Sequence, residues 1–280
     1  MTFFDRIAHI DRRIIFTIVA LAIIIPLLVP LGFPIKVSPS VKSLYDGVEA
    51  LPPGSKILIS CDFGASTYPE IYPMCLALLR HAFRTEIKPI IIGLWPEGIP
   101  FAERALAVTT EEAGKVYGED YVNLGFKAGG IVVMQALGRS FGEAFPVDAY
   151  GTPIEEIPLM EGVNNYDNIE MVIDLSAGDP GIPFWVMIAQ GRFGKKVGGG
   201  CTAVSAPQFY AYLQSGQLVG LMGGMKGAAE YEALIDKRDL GTAGMDAQSV
   251  AHTVIVIFIV VGNITFFIER ARRSKKEGVT

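Results

Sequence analysis

KILISCDFGASTYPEIYPMCLALLRHAFRTEIKPIIIGLW, residues 56–95, is the stretch on which the fold turns. KILISCDF is an apolar run rich in β-branched residues, the pattern of a strand buried on both faces. In TYPE, Thr67 and Glu70 have capping-box spacing ahead of the helical pattern IYPMCLALLRHAFR. KPIIIGLW is a second buried strand, closed by PEG. Strand, helix, strand implies a crossover between parallel neighbours.

The pattern continues on the carboxyl side. FAERALAVTTEEAGKVYG reads as helix, and YVNLGFKAGGIVVMQALGRSFGEAFP as a turn followed by a helix from about 127 to 141. IEMVIDLS is a third buried strand, IPFWVMIAQGRFG a helix, KKVGGGCTAVS a strand of small residues, and APQFYAYLQSG a short helix. The fold class expected is α/β, a single domain with a mainly parallel sheet.

Five glycines fall between Gly216 and Gly227. Glycine costs a helix interior about 1 kcal/mol relative to alanine, so QLVGLMGG is expected as a strand or extended turn, with helix beginning near Lys226. Small residues at Gly220 and Gly224, and at Gly198–Gly200, are packing positions where another backbone can come close. A membrane GxxxG face is excluded by Lys226 and Glu230 in the same short run.

Two uncharged runs flank this region. Residues 14–33, IIFTIVALAIIIPLLVPLGF, are about as long as a hydrocarbon core requires of a helix. The run exceeds a usual signal-peptide core, contains Pro26 and Pro30, and leads into GFPIKVS rather than a small-x-small cleavage site, which favours an uncleaved anchor. Residues 250–268, VAHTVIVIFIVVGNITFFI, are followed by ERARRSKK and read as a second span rather than a core helix. Arg6, Arg12 and Arg13 precede the first span, and Arg270, Arg272, Arg273, Lys275 and Lys276 follow the second. Positive residues stay on the cytoplasmic side. The expected organisation is a cytoplasmic segment 1–13, a span 14–34, an extracytoplasmic α/β domain 35–246, a span 247–268 and a basic cytoplasmic tail 269–280.

The two ends carry +1 and +3 of a total of −5, which leaves the middle at −9. An acidic body lacks the Lys and Arg clusters that phosphate contacts need, so no nucleic-acid partner is expected. Cys61, Cys75 and Cys201 are widely spaced and form no CxxC or Cys/His cluster, so neither a zinc site nor a dense disulfide framework is expected. Burial as small hydrophobes is the expectation, with a Cys61–Cys201 bridge as an alternative. In the spans, Asn263 is a polar amide that a partner helix would relieve, whereas Thr265 can bond its own backbone.

In parallel α/β sheets ligands gather at the carboxyl ends of the strands. The loops there, CDFGAST, LWPEG, SAGDPG and AVSAPQ, bring Asp62, Ser66, Thr67, Glu97, Ser176, Asp179, Thr202 and Ser205 to one edge. Such an edge suits a cation or polar ligand, although Asp, Ser and Gly also serve loops and caps. His81 is the one histidine away from the membrane boundaries marked by His9 and His252, and its pattern suggests an ordinary helix-surface position. GxSxG, GxGxxG after a strand, P-loop and HExxH motifs are all missing, which argues against the common nucleotide, dehydrogenase and zinc-hydrolase chemistries. No cofactor and no metal site is expected.

From 169 to 224 the order is strand IEMVIDLS, turn AGDPG, helix, strand VGGGCTAVS, helix APQFYAYLQSG, then QLVGLMGG. This order resembles the core unit of the Clp protease and signal peptide peptidase class, a crotonase-like fold. The resemblance implies oxyanion N–H groups at Gly178 and Gly181, a nucleophile at Ser205 and a lysine base at Lys226. The sequence departs from that pattern, since Ser205 is followed by Ala206 and Pro207 and the turn reads AGDPG rather than PGG. The leading expectation is therefore a non-catalytic interaction or assembly module in a homo-oligomer or larger membrane complex. A membrane-anchored Ser/Lys hydrolase is the alternative, and a ligand or cation sensor using Asp62, Glu97 and Asp179 the third reading.

Overall fold

A computed structural model describes residues 11–29 and 31–277, and the side chains up to 268 together with that of Arg270. Arg6, His9, Pro30, Arg272, Arg273, Lys275 and Lys276, on which part of the expected topology rests, lie outside the described residues or side chains. The chain forms two compact units: Pro34–Thr242, and the flanking Met1–Phe33 with Ala243–Thr280.

The body carries a six-stranded, all-parallel sheet. Its strands are β1 Lys56–Asp62, β2 Lys88–Gly93, β3 Val122–Phe126, β4 Met171–Ser176, β5 Lys196–Cys201 and β6 Leu221–Gly223, in the order β3-β2-β1-β4-β5-β6. Parallel pairing buries both faces, which is why KILISCD and MVIDLS read as continuous apolar runs. The order reverses at β1: successive strands move outward to β3, and β4 then returns to the other side of β1. Doubly wound sheets of this order open a crevice at the reversal. One sheet of this order lends no support to the crotonase-like likeness.

In the first unit α1 is Arg12–Leu28. In the body the helices are α2 Pro39–Glu49, α3 Tyr68–Arg84, α4 Gly98–Ala113, α5 Ile131–Leu137, α6 Phe141–Ala144, α7 Ile182–Trp185, α8 Gly191–Phe193, α9 Ala206–Gln214 and α10 Gly224–Leu234. A π-helical turn, Val186–Gln190, joins α7 to α8. One face of the sheet is covered by α2, α3, α4 and α10, through Leu44, Met74, Leu78, Ala105 and Tyr231. The other is covered by α5 to α9, through Met134, Phe141, Trp185 and Phe209.

Three sequence expectations are corrected locally. VNLGF is a strand, short and interrupted by Asn123 and Gly125, so its apolar pattern is weak. The helix expected over 127–141 is two pieces, because Gly129 and Gly130 adopt positive φ before α5 and Ser140 caps α6 through the Glu143 N–H. Thr67 makes no side-chain cap, and Glu70 instead reaches Ala203 N at 2.8 Å. The glycine run behaves as expected: QLVGLMGG ends in β6, and α10 starts at Gly224, two residues ahead of Lys226.

His81 is fully buried on α3, not on its surface. Its ring stacks on Tyr45, Nδ1 pairs with Tyr231 Oη at 2.7 Å and Nε2 with Glu49 at 2.6 Å. Burial pulls its pKa below the ordinary value, with Glu49 opposing. The three cysteines are free and buried, so the Cys61–Cys201 bridge is not formed.

Helix α11, Leu240–Glu277, starts under a carboxylate. Glu232, 1% exposed, accepts the N–H groups of Asp239, Gly241 and Thr242 at 2.8–2.9 Å and the Thr242 hydroxyl at 2.7 Å. A negative group on these otherwise orphaned donors is the electrostatically favoured cap. Helix therefore begins several residues before the expected span boundary at 247. Among the described residues one helix, Leu240–Ile268, is long and apolar enough to cross a membrane. Helix α1 ends at Leu28 and is 17 residues long, so the first expected span, 14–34, is helical only over its earlier part. Asn263 Nδ2 donates to Ile259 O and Thr265 Oγ1 to Val261 O, so both are satisfied within their own helix.

Candidate functional site

The order reversal lies between β1 and β4, whose register sets Ser60 beside Asp174 and Asp62 beside Ser176. Side chains two apart on a strand share a face, so all four point to the side covered by α5 to α9. Each is buried, Asp62 and Asp174 completely. Ser60 Oγ donates to Asp62 Oδ2 and Ser176 Oγ to Asp174 Oδ2, both at 2.5 Å. Asp62 Oδ1 accepts the N–H groups of Leu94 at 2.5 Å and Trp95 at 3.1 Å, tying the end of β1 to the loop after β2.

Asp174 Oδ1 is buried with no donor facing it. Burial raises both carboxyl groups, Asp62 to about 6 and Asp174 well above the usual range, the latter also because the Asp62 charge lies beside it. Two carboxylates this close do not both ionise. With the proton on Asp174, that side chain donates to Asp62, and the pair holds one proton and one charge between two side chains. The motif was visible as SCD and DLS, yet only the register 112 positions apart unites it.

Around this pair the loops close on one another. Trp95 Nε1 donates to Asp179 O at 3.0 Å, and a Cβ on Gly178 would meet the Trp95 ring at 3.1 Å. Gly181 lies against Gly178 O and the Ser176 hydroxyl, with no room for a side chain. Thr202 Oγ1 and Ser205 Oγ pair at 3.0 Å at the start of α9. Glu97 and Ser66 are exposed, and Glu97 packs on Gly64. Asp62, expected at the surface of this edge, is interior.

Ser205 and Lys226 are not brought into partnership. Ser205 Oγ faces Thr202, whereas Lys226 Nζ pairs with Glu230. Gly220 and Gly224 are close-approach positions: a Cβ on Gly220 would lie 2.3 Å from Leu44 N, and Gly224, at φ +62°, sits against Ala203. Among the described residues no group of three or more His, Cys, Asp or Glu could hold a metal ion.

Sequence reasoning missed a second cavity at the carboxyl end of β6. It has a volume of about 270 Å³ and is lined by Ser38, Ser40, Tyr210, Lys226 and Glu230 with small apolar neighbours. The Lys226/Glu230 spacing of four was its only signal in the sequence. Compared with family models, with curated proteins and with solved structures, the chain gives no match.

Proposed function

We propose that the chain is a membrane-anchored, non-catalytic α/β module, held on the extracytoplasmic side with both termini cytoplasmic, that assembles with its own copies or with other membrane subunits. One observation carries the reading. Along the sheet edge where doubly wound enzymes hold their ligands, Asp62, Glu70, Thr202 and Ser205 are already bonded to other groups of the body. A nucleophile needs a base within hydrogen-bond reach, and among the described residues Ser205 Oγ pairs with another hydroxyl, that of Thr202.

The glycines contribute less to assembly than their exposure in the sequence implied. Gly198, Gly199, Gly200 and Gly220 are consumed by Leu44, Ile182, Met74 and Leu175 of the same chain. What supports a partner is apolar surface. The body has a groove of about 480 Å³ lined by Pro183, Phe184, Val186, Met187 and Tyr212, with Met187 49% exposed. Aromatic residues and Met are the types enriched at such interfaces. On α11, Ile255, Val256, Ile259, Val260, Phe266 and Phe267 are exposed, which suits lipid or a second helix.

Native mass spectrometry of the detergent-solubilised full chain is expected to show a homo-oligomer or a complex with other membrane proteins. A strict monomer at micromolar concentration would overturn the assembly reading. The hydrolase alternative makes the opposite prediction at Ser205. Fluorophosphonate labelling is expected to be nil in the parent chain, and labelling that disappears in Ser205→Ala would establish a serine hydrolase instead.

A further inference from the structure

The cavity at the carboxyl end of β6 combines features that a closed structural contact does not need. Its walls come from the start of α2 (Ser38, Ser40, Val41), the loop and helix after β5 (Ala203, Ala206, Tyr210), and β6 with the first turns of α10 (Leu221, Gly223, Lys226, Gly227, Glu230). Glu230 is 1% exposed, and its two oxygens have separate tasks. Oε2 accepts the Ser38 N–H at 3.1 Å and the Ser38 hydroxyl at 2.5 Å, which fixes the carboxylate. Among the described residues Oε1 is paired with Lys226, whose side chain is 61% exposed. The lysine can therefore swing away while Glu230 keeps two hydrogen bonds, and the move uncovers one oriented acceptor.

We propose that this cavity binds a free aliphatic α-amino acid. The ligand ammonium takes the place of Lys226 on Glu230 Oε1, and the ligand carboxylate receives the displaced Lys226 ammonium and the Ser40 hydroxyl. The side chain lies on Val41, Ala203, Ala206 and Leu221. Charge decides against simpler ligands. The lining holds one cation and one buried anion, so a net-neutral zwitterion matches it, whereas a phosphate or simple carboxylate would face Glu230, with Glu70 nearby beside Gly224. Size decides against larger ones. About 270 Å³ lies just below the range of drug-sized pockets and equals about nine waters' share of liquid volume, enough for an amino acid but not a nucleotide. The site stands apart from the β1/β4 carboxyl pair and does not depend on the assembly reading.

Calorimetric titration of the full chain in detergent tests this with glycine, alanine and valine, and with 3-methylbutanoate and isobutylamine, which are valine without its ammonium and without its carboxylate. Saturable binding is expected for at least one amino acid, tightest for valine, with each truncated analogue at least about tenfold weaker because it leaves one charged partner unpaired. Lys226→Met is expected to weaken valine binding at least about tenfold; because it leaves the buried Glu230 carboxylate without its cation, its melt is read alongside to confirm the fold. Glu230→Gln, which can still accept from Ser38, is expected to do the same, with its own melt confirming the fold. Binding of 3-methylbutanoate as tight as valine, valine binding unchanged in Lys226→Met, or no heat from any of the three amino acids would each overturn the proposal.

Discussion

Asp174→Asn is expected to remove part of a loss of stability that the parent chain undergoes as pH rises above about 4. The Asp62 carboxyl is raised from 3.8 to about 6 in the folded body, so over that interval the native state holds a proton the unfolded chain has released. Stability therefore falls as pH rises, and a shift of this size corresponds to about 3 kcal/mol once pH passes the folded value, a share that Asp174→Asn leaves in place because burial of Asp62 is its largest cause. Asp174 is raised further, so its own share of the decline begins at the same unfolded value, near 3.8, and continues above pH 6; this is the share that asparagine removes. Asparagine supplies the neutral, donating form at every pH: its amide faces Asp62 and its oxygen still accepts from Ser176. For a body of this size the share removed is expected to appear as a melting temperature several degrees higher than the parent's at pH 8. Melts of the two proteins from pH 4.5 to 8.5 are expected to converge at the acid end and separate at the alkaline end. Parallel curves would mean that the two carboxyl groups do not share a proton. Asp174→Ala removes the donor and leaves a void, so it is expected to be less stable than the parent at both ends.

What could be read from the sequence, and what could not, divides by range. Strands β1, β2 and β4 were legible because a strand buried on both faces reads as a branched-aliphatic run bounded by turn residues without any partner, and β5 as a run of small residues between turn signals. Strand β3 was not, because Asn123 and Gly125 break the run, and Asn123 Oδ1 folds back onto Gly125 N at 3.0 Å. Among the residues named along the strand ends, Asp62 faces inward. Asp62 ends a strand, and a sequence cannot tell whether such a side chain faces solvent or a neighbour until the β1/β4 register places Asp174 and Ser176 beside it. Lys226 was singled out for a serine, yet its partner lies one helical turn on, at Glu230, and the serine that matters there is Ser38, about 190 residues earlier in the chain. His81 misled for the same reason, since its environment is assembled from Glu49 and Tyr231 on two other helices.

Gly220→Ala is expected to be the most damaging single methyl in the glycine-rich run. The added carbon would lie 2.3 Å from Leu44 N, 2.6 Å from Leu44 Cα and 2.6 Å from Leu44 Cβ. These are atoms at or next to the backbone of α2, so no rotamer change relieves the contact. Either α2 moves outward or the segment entering β6 does, and both are pinned. Gly220 O accepts from Gly199 N at 3.1 Å, Ser43 Oγ donates to Val219 O at 2.6 Å, and Leu44 itself fills the space over Gly198. Overpacking of this kind costs about 3 kcal/mol or more, a fall of about 6–12 °C in melting temperature. Gly142→Ala is the matched control: it adds the same methyl where the nearest atom is 3.8 Å away, and its melting temperature is expected to stay within about 2 °C of the parent. The cost also reaches the cavity, because α2 begins beside Ser38. Displacing that helix draws the Ser38 N–H and hydroxyl off Glu230 Oε2 and frees the carboxylate to turn toward Lys226. Valine affinity should then fall together with stability in Gly220→Ala. An unshifted melt for Gly220→Ala would show that α2 does not pack on the glycine run, and the shape assigned to the cavity would fail with it.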